Sequence, residues 1–163
     1  MTNLTKTVKI IGLFMLLGTS AISVNAADKN DQIQDTAKAV EYFDNELNFK
    51  TNPHGVKAVL DGKVKNVTIV DVRSEADFAK GHIPGAVNIP WEKHESFDGS
   101  ETEFPELRKD GYNYIYCYEH LCNLAQKAAK KFASLGYPVK EMVGGFTEWK
   151  SHKNPVEKSS PKK

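Results

Sequence analysis

The sequence predicts an α/β protein whose central sheet is mainly parallel and covered by helices on both faces. Three observations lead there. Short apolar runs rich in β-branched and aromatic residues alternate with amphipathic helical stretches. The run "NVTIVDV", residues 66–72, is continuously β-branched at its centre, as a strand covered on both sides requires. Helix caps stand at the junctions, with Asn52 before Pro53 and Ser74 three residues before Asp77.

The elements follow in order. Lys6 and Lys9, the apolar "IIGLFMLLG" and the small-residue "VNA" before Ala27 form the pattern of an export signal over residues 1–26. Its apolar run is shorter than the ~20 residues that span a bilayer, and no cysteine stands at the cut to carry a lipid. The expectation is a cleaved signal and a periplasmic or secreted product without stable membrane insertion. A leader and an N-terminal helix occupy residues 27–46, where Ile33, Ala37, Val40 and Phe43 recur at helical spacing suited to packing. The main domain then covers residues 47–151, starting with "ELNFKT" as a short strand. A helix runs from Pro53 towards Gly62, "NVTIVDV" is the second strand, and "SEADFAKG" the next helix. Two prolines and two glycines surround the brief apolar run Ala86–Ile89, which reads as a turn feeding a third strand. Residues 92–112 are polar and acidic, with a helical turn at "EFPELRK".

"YNYIYC" is the fourth strand, and the helix after it presents Leu121, Leu124, Ala125, Ala128, Ala129, Phe132 and Leu135 on one face. Gly136 stops that helix. "PVKEMV" supplies a fifth strand and "GGFTEWK" a turn into a closing helix. Residues 152–163 read as a disordered basic tail.

Composition excludes some functions. The chain of 163 residues has 22 basic and 21 acidic side chains, and loss of residues 1–26 removes Lys6 and Lys9, leaving 20 against 21 and a formal charge of −1. Such a balance does not suit a nucleic-acid binder. The only arginines are Arg73 and Arg108, and the only cysteines are Cys117 and Cys122.

In a parallel sheet, ligands bind outside the carboxyl ends of the strands, and Cys117 lies at such an end. A cysteine in a loop entering a helix can have its thiol pKa lowered by the helix N-terminus, and the N–H groups there can cradle an anion. Three chemistries stay open for Cys117 and Cys122. They can form a disulfide if their Cα atoms lie within roughly 7 Å. They can act as nucleophile and resolving thiol. With His120 they would supply three zinc ligands, though not at the spacing usual for such sites.

Beyond these readings, "IVDVRSEADFAKGHIPGAVNIP", "YIYC" and "LGYPVKEMVGGFTEW" together resemble the rhodanese-like family, in that family's order and over roughly residues 47–150. The resemblance implies a three-layer fold around a mainly parallel five-stranded sheet. It also implies a sulfurtransferase that takes sulfane sulfur from thiosulfate, polysulfide or a persulfide and passes it to a thiol or cyanide through a persulfide on catalytic Cys117. No cofactor or metal is implied. The partners are a small sulfur donor and a thiol acceptor, with any protein partner left open. Substrate would sit in the loop Tyr118, Glu119, His120, Leu121 and Cys122, on its backbone N–H groups. Asp71, Arg73, His82, Gly144 and Gly145 would give structural support.

The loop departs from the family's Cys-x-x-Gly-x-Arg-Ser pattern: His120 stands in place of the glycine, Cys122 of the arginine and Asn123 of the serine. A dianion gains from a positive loop, and Glu119 opposes it. Two rivals follow, a redox protein cycling a Cys117–Cys122 disulfide, and a non-catalytic fold that binds a partner through the acidic stretch 92–112.

Overall fold

β-Branched and aromatic runs form the strands, and all their pairings are parallel. The computed structural model describes residues 35–91 and 103–159. The expected export signal over 1–26, the leader with Ile33, the acidic residues 92–102 and the last tail residues 160–163 lie outside the described residues. The elements are α1 (Thr36–Phe49), β1 (Lys50–Thr51), α2 (Pro53–Leu60), β2 (Val67–Asp71) and α3 (Glu75–Lys80), followed by β3 (Val87–Asn88), β4 (Tyr112–Tyr116), α4 (Leu124–Ser134), β5 (Val139–Met142) and α5 (Gly145–Ser151). The five strands are ordered β1-β5-β4-β2-β3. Parallel register pairs Asp71 with Tyr116 and Ile115 with Glu141, so the carboxyl ends of the central strands share one edge.

Strand alternation divides the core into two layers. Val70, Ile115 and Cys117 pack with Ala125, Ala128 and Phe132 of α4 on one face. Ile69, Tyr116 and Met142 pack with Val56 of α2 and with Phe146 and Trp149 of α5 on the other. Helices therefore cover both faces, as the sequence predicts.

Four expectations are corrected. Only Lys50–Thr51 of "ELNFKT" is strand, because the helix continues through Phe49 and an ion pair from Lys50 Nζ to Glu46 Oε2 at 2.6 Å joins successive turns. The apolar stripe of α1 does not pack: Val40 is 62 % and Phe43 59 % exposed, and no residue of this helix is buried. The helix after Cys117 starts only at Leu124, because residues 119–122 make a turn closed by the Cys122 N–H on the Glu119 carbonyl, leaving Leu121 87 % exposed. Residues 152–159 are not a disordered tail. His82 and Glu157 exchange backbone hydrogen bonds at 2.9 Å in both directions, and the Trp149 indole N–H donates to the Pro155 carbonyl at 2.8 Å.

The acidic stretch also contributes to the core. Phe104 and Leu107 are buried, and the Tyr137 hydroxyl accepts from the Phe104 amide at 2.9 Å. Asn113, fully buried on β4, accepts from the Arg108 amide and donates to the carbonyls of Arg108 and Pro138, which fixes the approach to β4 beside β5.

One ion pair sets the end of β2. Arg73 is 4 % exposed; its Nε and Nη2 donate to the Asp71 carboxylate at 2.6–3.1 Å and its Nη2 donates to the Gly81 carbonyl at 2.7 Å. Removing one partner of a buried pair leaves an uncompensated charge, at a cost of about 3–5 kcal/mol. Asp71→Ala is therefore expected to lower unfolding free energy in urea by about that amount. A loss below about 1 kcal/mol, the scale of an exposed pair, would refute the structural role.

Candidate functional site

β4 ends at Tyr116, and the next residue, Cys117, points into the α4 layer with 2 % exposure. The strand's alternation dictates that side, since Ile115 faces the same layer and Tyr116 the opposite one. The first turn of α5 holds the loop that follows. Phe146 N–H donates to the Cys117 carbonyl at 2.8 Å and Thr147 N–H to the Tyr118 carbonyl at 2.9 Å. A trans peptide directs its N–H opposite to its C=O, so these bonds turn the Tyr118 and Glu119 amides away from α5.

This approach needs glycine. Gly145 has φ +58°, and a Cβ there would stand 2.7 Å from the Cys117 carbonyl and 2.8 Å from the Glu119 nitrogen. Gly144 lines the cavity beside the loop.

The thiol meets groups of both signs. Cys117 Sγ donates to the Cys122 carbonyl at 3.2 Å and lies 3.9 Å from the Glu119 carbonyl. Burial first, and a hydrogen bond with the Cys122 side chain second, push the Cys117 thiol up to about 12, while the backbone N–H groups of Ala125 and Glu119 pull it down. The lowered thiol pKa expected from the helix N-terminus is therefore corrected. The turn at 119–122 delays α4, so desolvation outweighs the amides. The proposed amide cradle shifts as well. Cys122 N–H is committed to the turn, Leu121 projects outward, and Ala125 supplies an amide that the sequence reading missed. Both cysteines are free, and Cys122 packs part-buried against the same cluster as Cys117.

Tyr118 turns away from the thiol. Its hydroxyl donates to Asp77 Oδ2 at 2.9 Å and accepts from the Ser74 amide at 3.3 Å, tying the loop to the cap of α3. The Arg73 guanidinium lies 5.8 Å from the Tyr118 ring and 4.0 Å from that of Phe146. Asp71 and Arg73 thus stand behind the loop, not in it. His82 is remote: it is stacked on Phe78 at 3.7 Å, with Nδ1 2.8 Å from the Phe78 carbonyl.

Above Cys117 is a cavity of about 40 Å³ lined by Lys50, Glu119, His120, Gln126, Glu141 and Gly144, among others. Roughly 10–15 Å³ admits a water-sized group, so the cavity has room for an added sulfur atom. A larger cleft of about 590 Å³ adjoins it, sharing His120, Val143 and Gly144 and bringing in His54, Lys57 and His152. No local motif links His54, His120 and His152; the fold gathers them from α2, the loop and the end of α5.

Asp77 gives a pH test of the loop's anchor. Lys80, then Ser74 and Tyr118, hold its carboxyl down from the ordinary 3.8 to about 2. A lowered folded-state pKa means that the ionised form stabilises the fold above 3.8 and that this contribution disappears as pH falls through about 2. Tyr118→Phe should therefore be less stable than the wild type above pH 3.8, with the gap in denaturation midpoints shrinking towards pH 2. A gap independent of pH across that window would show that the hydroxyl does not serve the ionised Asp77.

Comparison with known proteins supplies independent similarity. The model of the rhodanese-like domain matches residues 53–152. An adenylyltransferase and sulfurtransferase, UBA4 of Candida albicans, is 33 % identical over 104 residues, covering 62 % of this chain and 23 % of that protein. The thiosulfate sulfurtransferase GlpE of Coxiella burnetii is 27 % identical over 92 residues, covering 55 % of this chain and 78 % of its own. Among solved structures, the BH2092 protein of Bacillus halodurans superposes with a TM-score of 0.62 at 27 % identity, covering 76 % of this chain and 87 % of that one. This chain thus spans less than a quarter of the Candida relative's length.

Proposed function

Because this chain belongs to the rhodanese-like family, we propose that it is a sulfurtransferase that carries sulfane sulfur as a persulfide on Cys117. Relatives named as sulfurtransferases support the class, and one observation carries the residue. Cys117 is the strand-end thiol whose sulfur faces the Ala125 and Glu119 amides beneath a cavity able to take another atom.

The donor best suited to this site is a persulfide or polysulfide. Glu119 and Glu141 line the small cavity, and the only positive side chain there, Lys50, is paired with Glu46. A thiosulfate dianion would meet net negative charge, whereas an organic persulfide brings one negative charge and an organic polysulfide none. In the loading step, the Cys117 sulfur bonds to the terminal sulfur of the donor R–S–S⁻, and the donor's S–S bond breaks with its electron pair staying on the leaving sulfur. The Cys117 proton moves to that leaving thiolate, giving Cys117–S–S⁻ and R–SH. This route starts from the protonated thiol, which is the resting form of a group held at about 12. In the export reading, supported by Lys6, Lys9 and the apolar run after them, the reaction takes place outside the cytoplasm.

A second reading is favoured by Cys122, whose carbonyl accepts from Cys117 Sγ at 3.2 Å and whose free thiol packs against the same cluster. Cys122 can attack the inner sulfur of the persulfide, release hydrosulfide and leave a Cys117–Cys122 disulfide. The partner-binding reading has less support, because Phe104 and Leu107 of the acidic stretch are turned into the core.

Two outcomes separate these readings. Polysulfide added to reduced protein is expected to give a gain of one sulfur in intact mass, reversed by a thiol reductant and absent in Cys117→Ser. No gain in the wild type would refute sulfurtransfer. Cys122→Ser is expected to retain the gain and keep turning over with cyanide; if turnover requires Cys122, or the wild type loses two hydrogens and holds no sulfur, the disulfide reading replaces the first.

A further inference from the structure

The cleft beside the cysteine loop has no part in the loading step described above. At about 590 Å³ it is within the roughly 300–1,000 Å³ typical of small-molecule sites. It shares His120, Val143 and Gly144 with the cavity over Cys117, so a ligand held there has its reactive end next to the proposed persulfide.

The polarity of the lining selects the ligand. The start of α2, with Asn52, Pro53 and His54, borders the cleft and presents the positive end of a helix whose cap is made by Asn52 Oδ1 accepting from Gly55 N–H at 3.0 Å. Lys57, the one lysine among the lining residues, is paired with Asp61 just as Lys50 is with Glu46, so it adds no free charge and the helix end and the imidazoles set the polarity here. Glu148 is the only acid among the lining residues, and His152 Nε2 engages it at 3.0 Å. Among the described residues the imidazole rings of His54 and His120 make no hydrogen bond, which leaves ring nitrogens on two sides of the cleft to bind a carboxylate. Towards Cys117 the rim changes sign, with Glu119 and Glu141, so an anionic group is favoured at the α2 end and disfavoured at the sulfur end.

We propose that this cleft binds the sulfur acceptor, and that the acceptor is a small thiol bearing a carboxylate, its carboxylate held near His54 and its sulfur directed past His120 and Gly144 towards Cys117. The inference rests on the persulfide reading above. In the transfer step the Cys117–S–S⁻ left by loading first takes a proton from solvent; the acceptor sulfur then bonds to the outer sulfur of Cys117–S–SH, the bond from that sulfur to Sγ breaks, and the electron pair returns to Sγ. The proton of the acceptor thiol compensates Sγ, giving R–S–SH and Cys117–SH. No external oxidant or reductant enters.

The test uses full-length reduced protein loaded with polysulfide. Sulfur transfer is followed with 3-mercaptopropionate and, separately, with the uncharged 2-mercaptoethanol. The wild type is expected to show a KM for the carboxylate thiol about tenfold below that for the neutral one. His54→Gln should narrow this preference and His54→Glu should abolish or invert it. His54 is exposed and lies only in the larger cleft, so neither change touches the cavity over Cys117. If the wild type loads sulfur but uses both thiols with the same KM, or if His54→Glu leaves the ratio unchanged, the acceptor site is refuted and the persulfide reading stands. If the wild type loads no sulfur, both are refuted.

Discussion

A guanidinium buried at 4 % exposure has to be paired on every side, and Arg73 imposes that requirement on four elements. Its carboxylate partner, Asp71, is the last residue of β2, and the carbonyl it holds, that of Gly81, lies just past α3. Tyr116, the last residue of β4, lies 5.6 Å away, and Phe146 at the start of α5 lies across the charge at 4.0 Å. Burial alone would lower the pKa of Arg73, yet the hydrogen bonds and charge of Asp71 leave it raised, so the site is built for the cation. Cys117 follows Tyr116 directly, and α5 holds the carbonyl of Cys117. The position of the thiol therefore depends on a charge that never touches it.

The thiol has carbonyl partners suited to its protonated form and amide partners suited to an anion. The Cys122 carbonyl accepts from Sγ–H, whereas the Glu119 and Ala125 amides favour negative charge on sulfur. Burial decides the resting balance in favour of the proton. A sulfur atom added in the proposed persulfide would move the charge outward into the small cavity, away from the most desolvated position. Reactivity would then arise from where the charge moves, rather than from a thiolate stored in advance.

Legibility of the sequence varied with the range of the interactions. The sheet was legible because "NVTIVDV" and "YNYIYC" can form little else, and Asn52 and Ser74 make the capping hydrogen bonds their positions suggest. The thiol at the end of β4 followed from strand direction alone. α1 departs from its periodicity because an apolar stripe does not say what covers it, as exposed Val40 and Phe43 illustrate. The tail departs from its composition for the opposite reason: its lysines give no sign of the backbone pairing of Glu157 with His82. The pKa of Cys117 depended on a three-dimensional balance between desolvation and two amides, one of them from Ala125, eight positions along the chain. The cleft was invisible because His54, His120 and His152 belong to no shared motif.

The clasp between His82 and Glu157 bears on how the protein is made. It closes a loop running through β3, β4, α4, β5 and α5, so its two ends meet only after nearly the whole domain has been synthesised. On a ribosome, the β2–α3 unit emerges early but waits for residue 157 before its far side is covered. During that interval Gly81 lacks the Val156 side chain that later lies beside it. The last residues of the fold therefore act as its latch, and a nascent chain stalled after α5 would carry every proposed reactive group on a body still open at one side.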